Sequence, residues 1–403
     1  MPAAEPQRAR PSRARNRNRP QPSTDYDTEF DTDDNEFEEQ DSWNARPARA
    51  RQRPRKSSSR SQPWMKRALP FMIVGGIAVG LLLAVSALLE FAPSGTDTPA
   101  RGQDSASSSN ATASDMTSLP EGQIPARPEF ARSFASGVQM ASTAYTSGSQ
   151  PAMSTQLRIY LPPGQHADKS LGCVLVAPAG TNLLCGSDID GEDYHDEALP
   201  YAEASYVTIR YSLDGGIDDL EAATPSQMSA AYQQFRNAKG GILNASAAVS
   251  FVLARMPEVD PQRIYAAGHS SAGTVALLAA MRDKRISGCI AFAPCSDPTA
   301  FHSDFANEAF VSTLFPGMKE FDAAHSPMKH SDQLTCPVFL FQAADDTVVE
   351  PTETRQFARK LLQTNSSVTV SGNPSGGHYN SMINPGIPRA IEWIQQIEAE
   401  PQQ

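Results

Sequence analysis

One serine in this chain stands in a context that suits a nucleophile. Residues 268–273 read Gly-His-Ser-Ser-Ala-Gly, between an apolar run at 263–267 and a helix-forming run that starts at Thr274. This pattern predicts a strand, a sharp turn and a helix, with Ser270 at the turn. The small residues two positions before and after Ser270 leave room for such a turn. Ser270 is therefore a candidate nucleophile, and the N–H of Ser271 is a candidate donor to an oxyanion. Taken alone, the pattern also fits a turn with an idle serine.

A serine nucleophile needs a base and an acid that orients the base, and both follow along the chain. A buried strand predicted at 337–344 runs into Asp345 and Asp346, and a later glycine-rich loop carries His378. Each element alone is also explained as a turn or a helix cap. Together, in this order and at predicted strand ends, they predict a triad of Ser270, His378 and Asp346, with Asp345 ranked second as the acid.

From about residue 154 to 397 the chain resembles an α/β-hydrolase, and within that superfamily the group of dienelactone hydrolases and prolyl oligopeptidase catalytic domains. The resemblance rests on the turn at 268–273, on an aspartate before Val-Val-x-Pro, and on the histidine of the last loop. It implies that Ser270 is the nucleophile, Asp346 the acid and His378 the base.

The resemblance also places an oxyanion loop after the third strand, which is predicted at 172–177. Besides Ser271, the candidate donors are therefore Ala179, Gly180 and Thr181. The chain departs from the family at three points. It has Ala-Gly at 179–180 and Gln-Ala at 342–343 where the family often has His-Gly, and it has Ala272 where a glycine is usual.

Strands and helices alternate through the segment that carries these motifs. The predicted fold class is therefore α/β, an α/β-hydrolase fold whose mostly parallel sheet is flanked by helices. A helix is predicted from about Met228 to Arg255, and Trp393 lies in a closing amphipathic helix. Strands are predicted at 156–160, 172–177, 206–211, 263–267, 287–292, 337–344 and 367–370.

The predicted function is a serine hydrolase that cleaves carboxylic esters through an acyl-enzyme. A serine peptidase of the prolyl oligopeptidase type is the alternative, and a non-catalytic scaffold is less favoured. The expected partner is a small ester or a short peptide, and no β-propeller is foreseen upstream. No cofactor and no metal are required. The acidic segment at 188–197, which contains His195, also fits a cation site, although a solvated loop is the more common meaning.

An uncharged run at 68–89 predicts a transmembrane helix, with bounds at 68–92. At about 1.5 Å per residue, such a run spans about 33 Å, enough for a hydrocarbon core of roughly 30 Å. Lys66 and Arg67 precede it, so the N-terminus is expected in the cytoplasm and the catalytic domain outside it. A cleaved signal peptide remains the alternative.

The net charge of the N-terminal part of the chain differs in sign from that of the rest. The net charge is −11 overall but positive over residues 1–67, where basic blocks flank an acidic block. We expect a disordered cytoplasmic tail at 1–67, a flexible linker at 93–122 and the catalytic domain at 123–403. The interposed acidic block argues against a nucleic-acid partner.

The five cysteines cannot all pair. Cys173, Cys289 and Cys336 stand at the starts of predicted strands and are expected to be small buried hydrophobes. Cys185 and Cys295 follow strands whose ends converge near the site, which leaves a disulfide between them open.

Overall fold

The structure, a computed structural model, describes residues 122–147, 153–189, 195–217, 219–220 and 222–400. The tail predicted at 1–67, the transmembrane helix predicted at 68–92 and all but the last residue of the predicted linker lie outside these residues. The domain bounds therefore stay predictions.

Ten strands in the described residues form one sheet in the order β1-β3-β4-β6-β5-β7-β8-β9-β10, and β2 pairs with β3 at its edge. The pairs from β6 through β5 to β10 are parallel, whereas β1, β2, β3 and β4 pair antiparallel. The strands are β1 (Gly122–Gln123), β2 (Arg132–Ser133), β3 (Gln139–Ser147), β4 (Ser154–Leu161), β5 (Leu171–Val176), β6 (Tyr206–Tyr211), β7 (Val259–His269), β8 (Gly288–Phe292), β9 (Val338–Ala343) and β10 (Val368–Asn373).

Helices connect these strands. They are α1 (Leu199–Glu203), α2 (Pro225–Asn237), α3 (Ile242–Arg255), α4 (Ser271–Arg282), α5 (Pro298–Phe301), α6 (Ala309–Leu314), α7 (Met318–Ala324), α8 (Pro351–Leu361), α9 (Gly377–Ser381) and α10 (Ile387–Ala399). Short 3₁₀ turns lie at His195–Glu197 and Ser331–Gln333, and a π-helical turn at Met382–Gly386 joins α9 to α10.

The central strands are buried on both faces because helices cover both. Along β5, Cys173 and Leu175 belong to the core that contains α3 and α4. Val174 and Val176 alternate with them and belong to a second core, which contains Trp393 of α10. Alternate side chains of the strand therefore pack against helices on opposite faces of the sheet. The predicted α/β-hydrolase architecture, a mostly parallel sheet flanked by helices, is confirmed.

One predicted helix is wrong in its extent. The segment from Met228 to Arg255 forms two helices, α2 and α3, which are separated at residues 238–241. Gly240 and Gly241 both have positive φ angles, a backbone conformation that breaks a right-handed helix. A side chain at Gly241 would also come within 2.8 Å of Leu213. The glycine pair therefore ends one helix and starts the next.

No helix in the described part of the chain is long and apolar enough to cross a membrane. The longest of these helices, α3, has 14 residues. At about 1.5 Å per residue it is about 21 Å long, short of the roughly 30 Å of a hydrocarbon core. On this finding the predicted localisation, a single-pass membrane protein with an extracytoplasmic catalytic domain, is wrong and is withdrawn.

All five cysteines are free thiols, so the disulfide left open between Cys185 and Cys295 does not form. The Cys185 Sγ atom lies 3.3 Å from the Asn182 side-chain oxygen, to which the thiol donates. Burial raises the pKa of the Cys185 thiol to about 11. Cys173 and Cys289 are fully buried among apolar residues, as expected of small hydrophobes, and Cys336 is half-buried.

Candidate active site

Ser270 occupies the sharp turn between β7 and α4. Its φ of 57° and ψ of −124° lie in a region that side-chain-bearing residues rarely adopt, and its N–H donates to the Phe292 carbonyl at 2.8 Å. Gly268 makes the turn possible, because a Cβ atom there would collide with the backbone carbonyl of Ala272. The turn predicted from residues 268–273 is therefore present, with Ser270 at its apex.

Asp346 and His378 are brought together from the ends of two adjacent parallel strands. Asp346 follows β9, and His378 lies in α9 shortly after β10. The His378 Nδ1 atom is 2.8 Å from Asp346 Oδ2. Because an ionised carboxylate only accepts, Nδ1 carries the hydrogen, which leaves Nε2 as the free lone pair.

Three further donors hold the Asp346 carboxylate in place. Its Oδ1 accepts from the N–H groups of Val348 at 2.9 Å and Val349 at 3.1 Å, and its Oδ2 accepts from the Gln342 amide at 2.8 Å. Burial by itself would raise the pKa of Asp346. The hydrogen bond and charge of His378, with the two backbone N–H groups, outweigh burial and set the pKa below its usual value. Asp346 is thus held as a carboxylate.

Asp345 has a different set of contacts from its neighbour. Its two carboxylate oxygens accept from the N–H groups of Gly376 at 3.0 Å and Gly377 at 2.8 Å. It therefore fixes the backbone of the loop that carries His378 and does not contact the imidazole. Of the two aspartates, only Asp346 meets the histidine.

The reactive atoms of the serine and the histidine are both buried. Within the described residues, neither Ser270 Oγ nor His378 Nε2 has a hydrogen-bond partner. A buried polar atom without a partner costs free energy, so each one in a native fold calls for an explanation, such as a bound ligand or water. Catalytic hydrogen bonds are commonly open in a free enzyme and close when substrate binds.

His269, which the sequence analysis did not single out, links the serine turn to the histidine loop. Its Nε2–H donates to the His378 carbonyl at 2.8 Å, and the two imidazole rings lie 4.3 Å apart. Burial, with the nearby charge of His378, lowers its pKa well below the usual value, so the ring is neutral. Its place directly before Ser270 was the only available signal, and sequence alone does not show where its side chain points.

The predicted oxyanion loop lies beside the N-terminus of α4. The Thr181 N–H donates to the Ser271 hydroxyl at 3.1 Å, so this N–H is already engaged. Gly180 has a φ of +88°, which turns the backbone sharply between Ala179 and Thr181. No hydrogen bond among the described residues engages the N–H groups of Ala179 or Gly180. Of the three predicted loop donors, these two remain open to a substrate oxygen.

Gln342 is a second residue that the sequence analysis did not assign to the site. It lies at a position where the family that this chain resembles often has histidine. That difference was the only sign in the sequence that Gln342 belongs to the site. Its amide Nε2 donates to Asp346 and, at 3.2 Å, to the Val349 carbonyl, while its Oε1 accepts from the Thr354 hydroxyl at 2.8 Å. All its polar atoms are therefore used inside the protein.

We expect Gln342→Leu to lower the free energy of unfolding by about 1–3 kcal/mol, because it removes a buried donor from Asp346 and Val349 and the acceptor of the Thr354 hydroxyl. We also expect kcat for an ester to fall by about tenfold, equivalent to about 1.4 kcal/mol, as the acid loses a fixed contact. Urea unfolding and steady-state kinetics measure the two effects. Wild-type values in both assays would show that Gln342 does not support the acid.

The segment at 296–333, between β8 and β9, contains α5, α6 and α7. Phe315 and Phe321 pack edge-to-face on Tyr232 of α2, with ring centres 5.2 and 6.0 Å apart. The segment therefore packs against the same hydrophobic core that contains α4. We refer to it as the insertion.

The acidic segment does not form a metal site in the residues that the structure describes, where no group of three or more His, Cys, Asp or Glu side chains is placed to hold an ion. His195 Nδ1 lies 2.8 Å from the Tyr160 hydroxyl, and Asp196 accepts from the Tyr379 hydroxyl at 3.2 Å. Both side chains thus have partners within the fold.

A family model described as the prolyl oligopeptidase family matches residues 231–397. The match covers fewer than half of the residues of the chain, but it includes Ser270, Asp346 and His378. No curated protein sequence matches.

Solved structures share the fold. The acetyl xylan esterase from Paenibacillus sp. R4 is 16% identical, with 70% of this chain and 92% of that chain covered at a TM-score of 0.51. Acetyl xylan esterase 1 from Thermoanaerobacterium sp. JW/SL YS485 is 15% identical, with 71% and 92% covered at the same score. The Pyrococcus horikoshii acylaminoacyl peptidase is 14% identical, with 66% of this chain but only 43% of that chain covered at 0.51.

At these identities the structural likeness shows the fold, and the family match adds the class of enzyme. The α/β-hydrolase recognised from the sequence is confirmed, and so is the expectation that the protein is a serine hydrolase.

Proposed function

We propose that this serine hydrolase cleaves carboxylic esters, with Ser270 as nucleophile, His378 as general base and Asp346 as the acid that orients it. The observation that carries the proposal is the 2.8 Å contact from His378 to Asp346, next to the strained turn at Ser270. A serine hydroxyl is a poor nucleophile without a base, and this arrangement supplies one. The buried, unpartnered atoms Ser270 Oγ and His378 Nε2 support the assignment.

In the proposed reaction, Ser270 Oγ attacks the ester carbonyl carbon while His378 Nε2 takes its proton. The ionised Asp346 stabilises the imidazolium that results. The tetrahedral intermediate then collapses, the C–O bond to the alcohol breaks, and the alcohol leaves with the proton from Nε2. A water molecule, deprotonated by His378, attacks the acyl-serine, and its collapse releases the acid and restores Ser270.

The negative charge on the carbonyl oxygen would be met by backbone N–H groups. The Ser271 N–H, at the start of α4, is the first donor proposed. Ala179 or Gly180 would supply the second, because the Thr181 N–H already donates to the Ser271 hydroxyl. One such donor is typically worth about 10²- to 10³-fold in rate.

An ester is favoured over a peptide for two reasons. An ester has a better leaving group than an amide, because an alkoxide is expelled more readily than the anion of an amine, so a triad without dedicated peptide contacts should cleave esters first. A peptidase that captures a free amino terminus also needs available carboxylates. Two of the three described carboxylates in the acidic segment are engaged or covered: Asp196 accepts from Tyr379, and Glu197 is buried. The match to the prolyl oligopeptidase family favours the second candidate, a serine peptidase.

The two candidates predict opposite kinetics. For the full-length protein we expect kcat/KM for short acyl nitrophenyl esters to exceed that for aminoacyl and prolyl nitroanilides by at least about 100-fold, or about 2.7 kcal/mol. A fluorophosphonate probe should label the wild-type protein and not Ser270→Ala. A preference for the anilides would promote the peptidase, and absence of labelling would remove both candidates.

A further inference from the structure

The insertion contains a second histidine–aspartate pair, distinct from the proposed triad. The His302 Nδ1 atom lies 2.8 Å from Asp322 Oδ2, and the two side chains are 1% and 2% exposed. Taking ionisable groups out of water is costly unless good pairing geometry and further hydrogen bonds compensate. The reaction described above uses neither residue.

The other nitrogen of His302 reaches the proposed oxyanion loop. His302 Nε2 lies 2.9 Å from the Asn182 carbonyl, and Asn182 directly follows Thr181. Since a carbonyl only accepts, Nε2 must carry a hydrogen and donate it. His302 therefore joins Asp322 in α7 to the backbone of the loop that supplies Ala179 and Gly180.

The positions of the hydrogen atoms on His302 show what its contact with Asp322 does. With Nε2–H donating to Asn182, Nδ1 either donates to an ionised Asp322 or accepts from its protonated form. Burial raises the pKa of Asp322, while its hydrogen bond to His302 lowers it in part. In either state, Asp322 fixes the plane of the imidazole and keeps the hydrogen on Nε2 available to Asn182.

Two further hydrogen bonds hold the loop. The Thr181 N–H donates to the Ser271 hydroxyl at 3.1 Å, and the Asn182 side chain accepts from the Leu184 N–H at 3.0 Å. Among these contacts, that of His302 comes from the insertion. Thr181 is therefore bonded to α4, and the next residue, Asn182, is bonded to the insertion.

We propose that His302, held by Asp322, is a positioning residue that sets the oxyanion loop at the distance from Ser270 that the transition state requires. The inference rests on the proposed function, because it assigns a role within that site. An oxyanion donor acts only when its N–H points at the place where charge develops. A displacement of about 1 Å in such a group can cost on the order of 10²-fold in rate.

Two substitutions of His302 separate this role from simple packing. A glutamine amide reaches about as far as Nε2 and retains a donor for Asn182, whereas an asparagine amide reaches about as far as Nδ1 and retains only a partner for Asp322. We expect His302→Asn to lower kcat for a nitrophenyl ester by about 10- to 100-fold with little change in KM. His302→Gln should keep kcat within about threefold of the wild type.

A second readout reports the oxyanion directly. An alkyl trifluoromethyl ketone adds to an active serine and forms a tetrahedral oxyanion, so its affinity follows transition-state stabilisation. Its Ki should rise in His302→Asn by the same factor as kcat falls. His330→Gln is the matched control, because His330 lies in the same insertion and its side chain bonds to the Ala323 carbonyl there, at 3.0 Å, away from the oxyanion loop. Its kcat and Ki should equal those of the wild type.

Urea unfolding of each variant gives the folded fraction used to correct kcat. Equal corrected kcat values for His302→Asn and the wild type would overturn the proposal, as would equal losses in the Asn and Gln variants. If His302→Asn does not fold, His302→Gln decides alone: kcat near the wild type supports the role, and a folded variant with kcat reduced tenfold or more overturns it. Failure of the proposed function is seen separately, as absence of fluorophosphonate labelling in the wild type.

Discussion

Replacement of Ser270 by alanine is expected to lower kcat for a short acyl ester by on the order of 10⁶-fold. Alanine removes the atom proposed to form the acyl-enzyme, and the residual rate would come from the proposed oxyanion donors acting on water. Ser270 Oγ makes no hydrogen bond within the described residues, so its loss should leave the free energy of unfolding nearly unchanged. Ester hydrolysis and urea unfolding, measured on the same preparation, test both statements.

Ser271→Ala provides the matched control in the adjacent position. It keeps the backbone N–H proposed as an oxyanion donor and removes only the hydroxyl that accepts from Thr181. We expect a loss of kcat of about tenfold or less, by relaxation of the loop, and retained labelling by a fluorophosphonate. Full activity in Ser270→Ala together with a large loss in Ser271→Ala would mean that the wrong serine has been assigned.

Local patterns predicted most of the parallel sheet because its strands are continuous apolar runs that alternate with helices. The run before Asp345 is β9, within one residue of its predicted bounds, and the run before Ser270 lies inside β7, which is longer than predicted, Val259–His269. The antiparallel strand β3 was not predicted. Its residues mix polar and apolar types, and it is stabilised by pairing with β4, which local sequence does not reveal. The break at Gly240 was missed because a helical pattern continues on both sides of it.

The sequence likewise predicted some residues of the candidate site and missed others. Ser270, Asp346 and His378 were proposed from motifs, since each stands at a strand end next to residues that suit a turn. His269, Gln342 and His302 were not, because their roles depend on contacts with residues distant in the chain. His302 meets Asn182 across 120 positions. No spacing rule connects two such residues, so only the folded structure brings them to notice.

The second large effect expected is that of Asp346→Asn, which should lower kcat by on the order of 10⁴-fold. An asparagine amide can donate to His378 Nδ1, which places the imidazole hydrogen on Nε2. In that tautomer Nε2 has no lone pair to take the proton of Ser270. Asp346 does not contact substrate in the proposed reaction, so the loss should lie in kcat rather than KM.

The same substitution should lower the free energy of unfolding at neutral pH. The pKa of Asp346 is lowered in the folded protein, so its ionised form stabilises the fold above the unfolded pKa, about 3.9. This contribution is lost as pH falls through the lower, folded value. The difference in stability between wild type and Asp346→Asn should therefore shrink on acidification, as followed by urea unfolding at several pH values.

Asp345→Asn is the control that makes the assignment of the acid decisive. Asp345 accepts from the N–H groups of Gly376 and Gly377, and an asparagine retains one of its two acceptor oxygens. The loop that carries His378 should loosen, with kcat reduced by about tenfold, equivalent to about 1.4 kcal/mol. The tautomer of His378 is untouched, so the effect should stay about a thousandfold smaller than that of Asp346→Asn. Equal, small losses in the two variants would place the acid elsewhere, and a larger loss in Asp345→Asn would exchange the roles of the two aspartates.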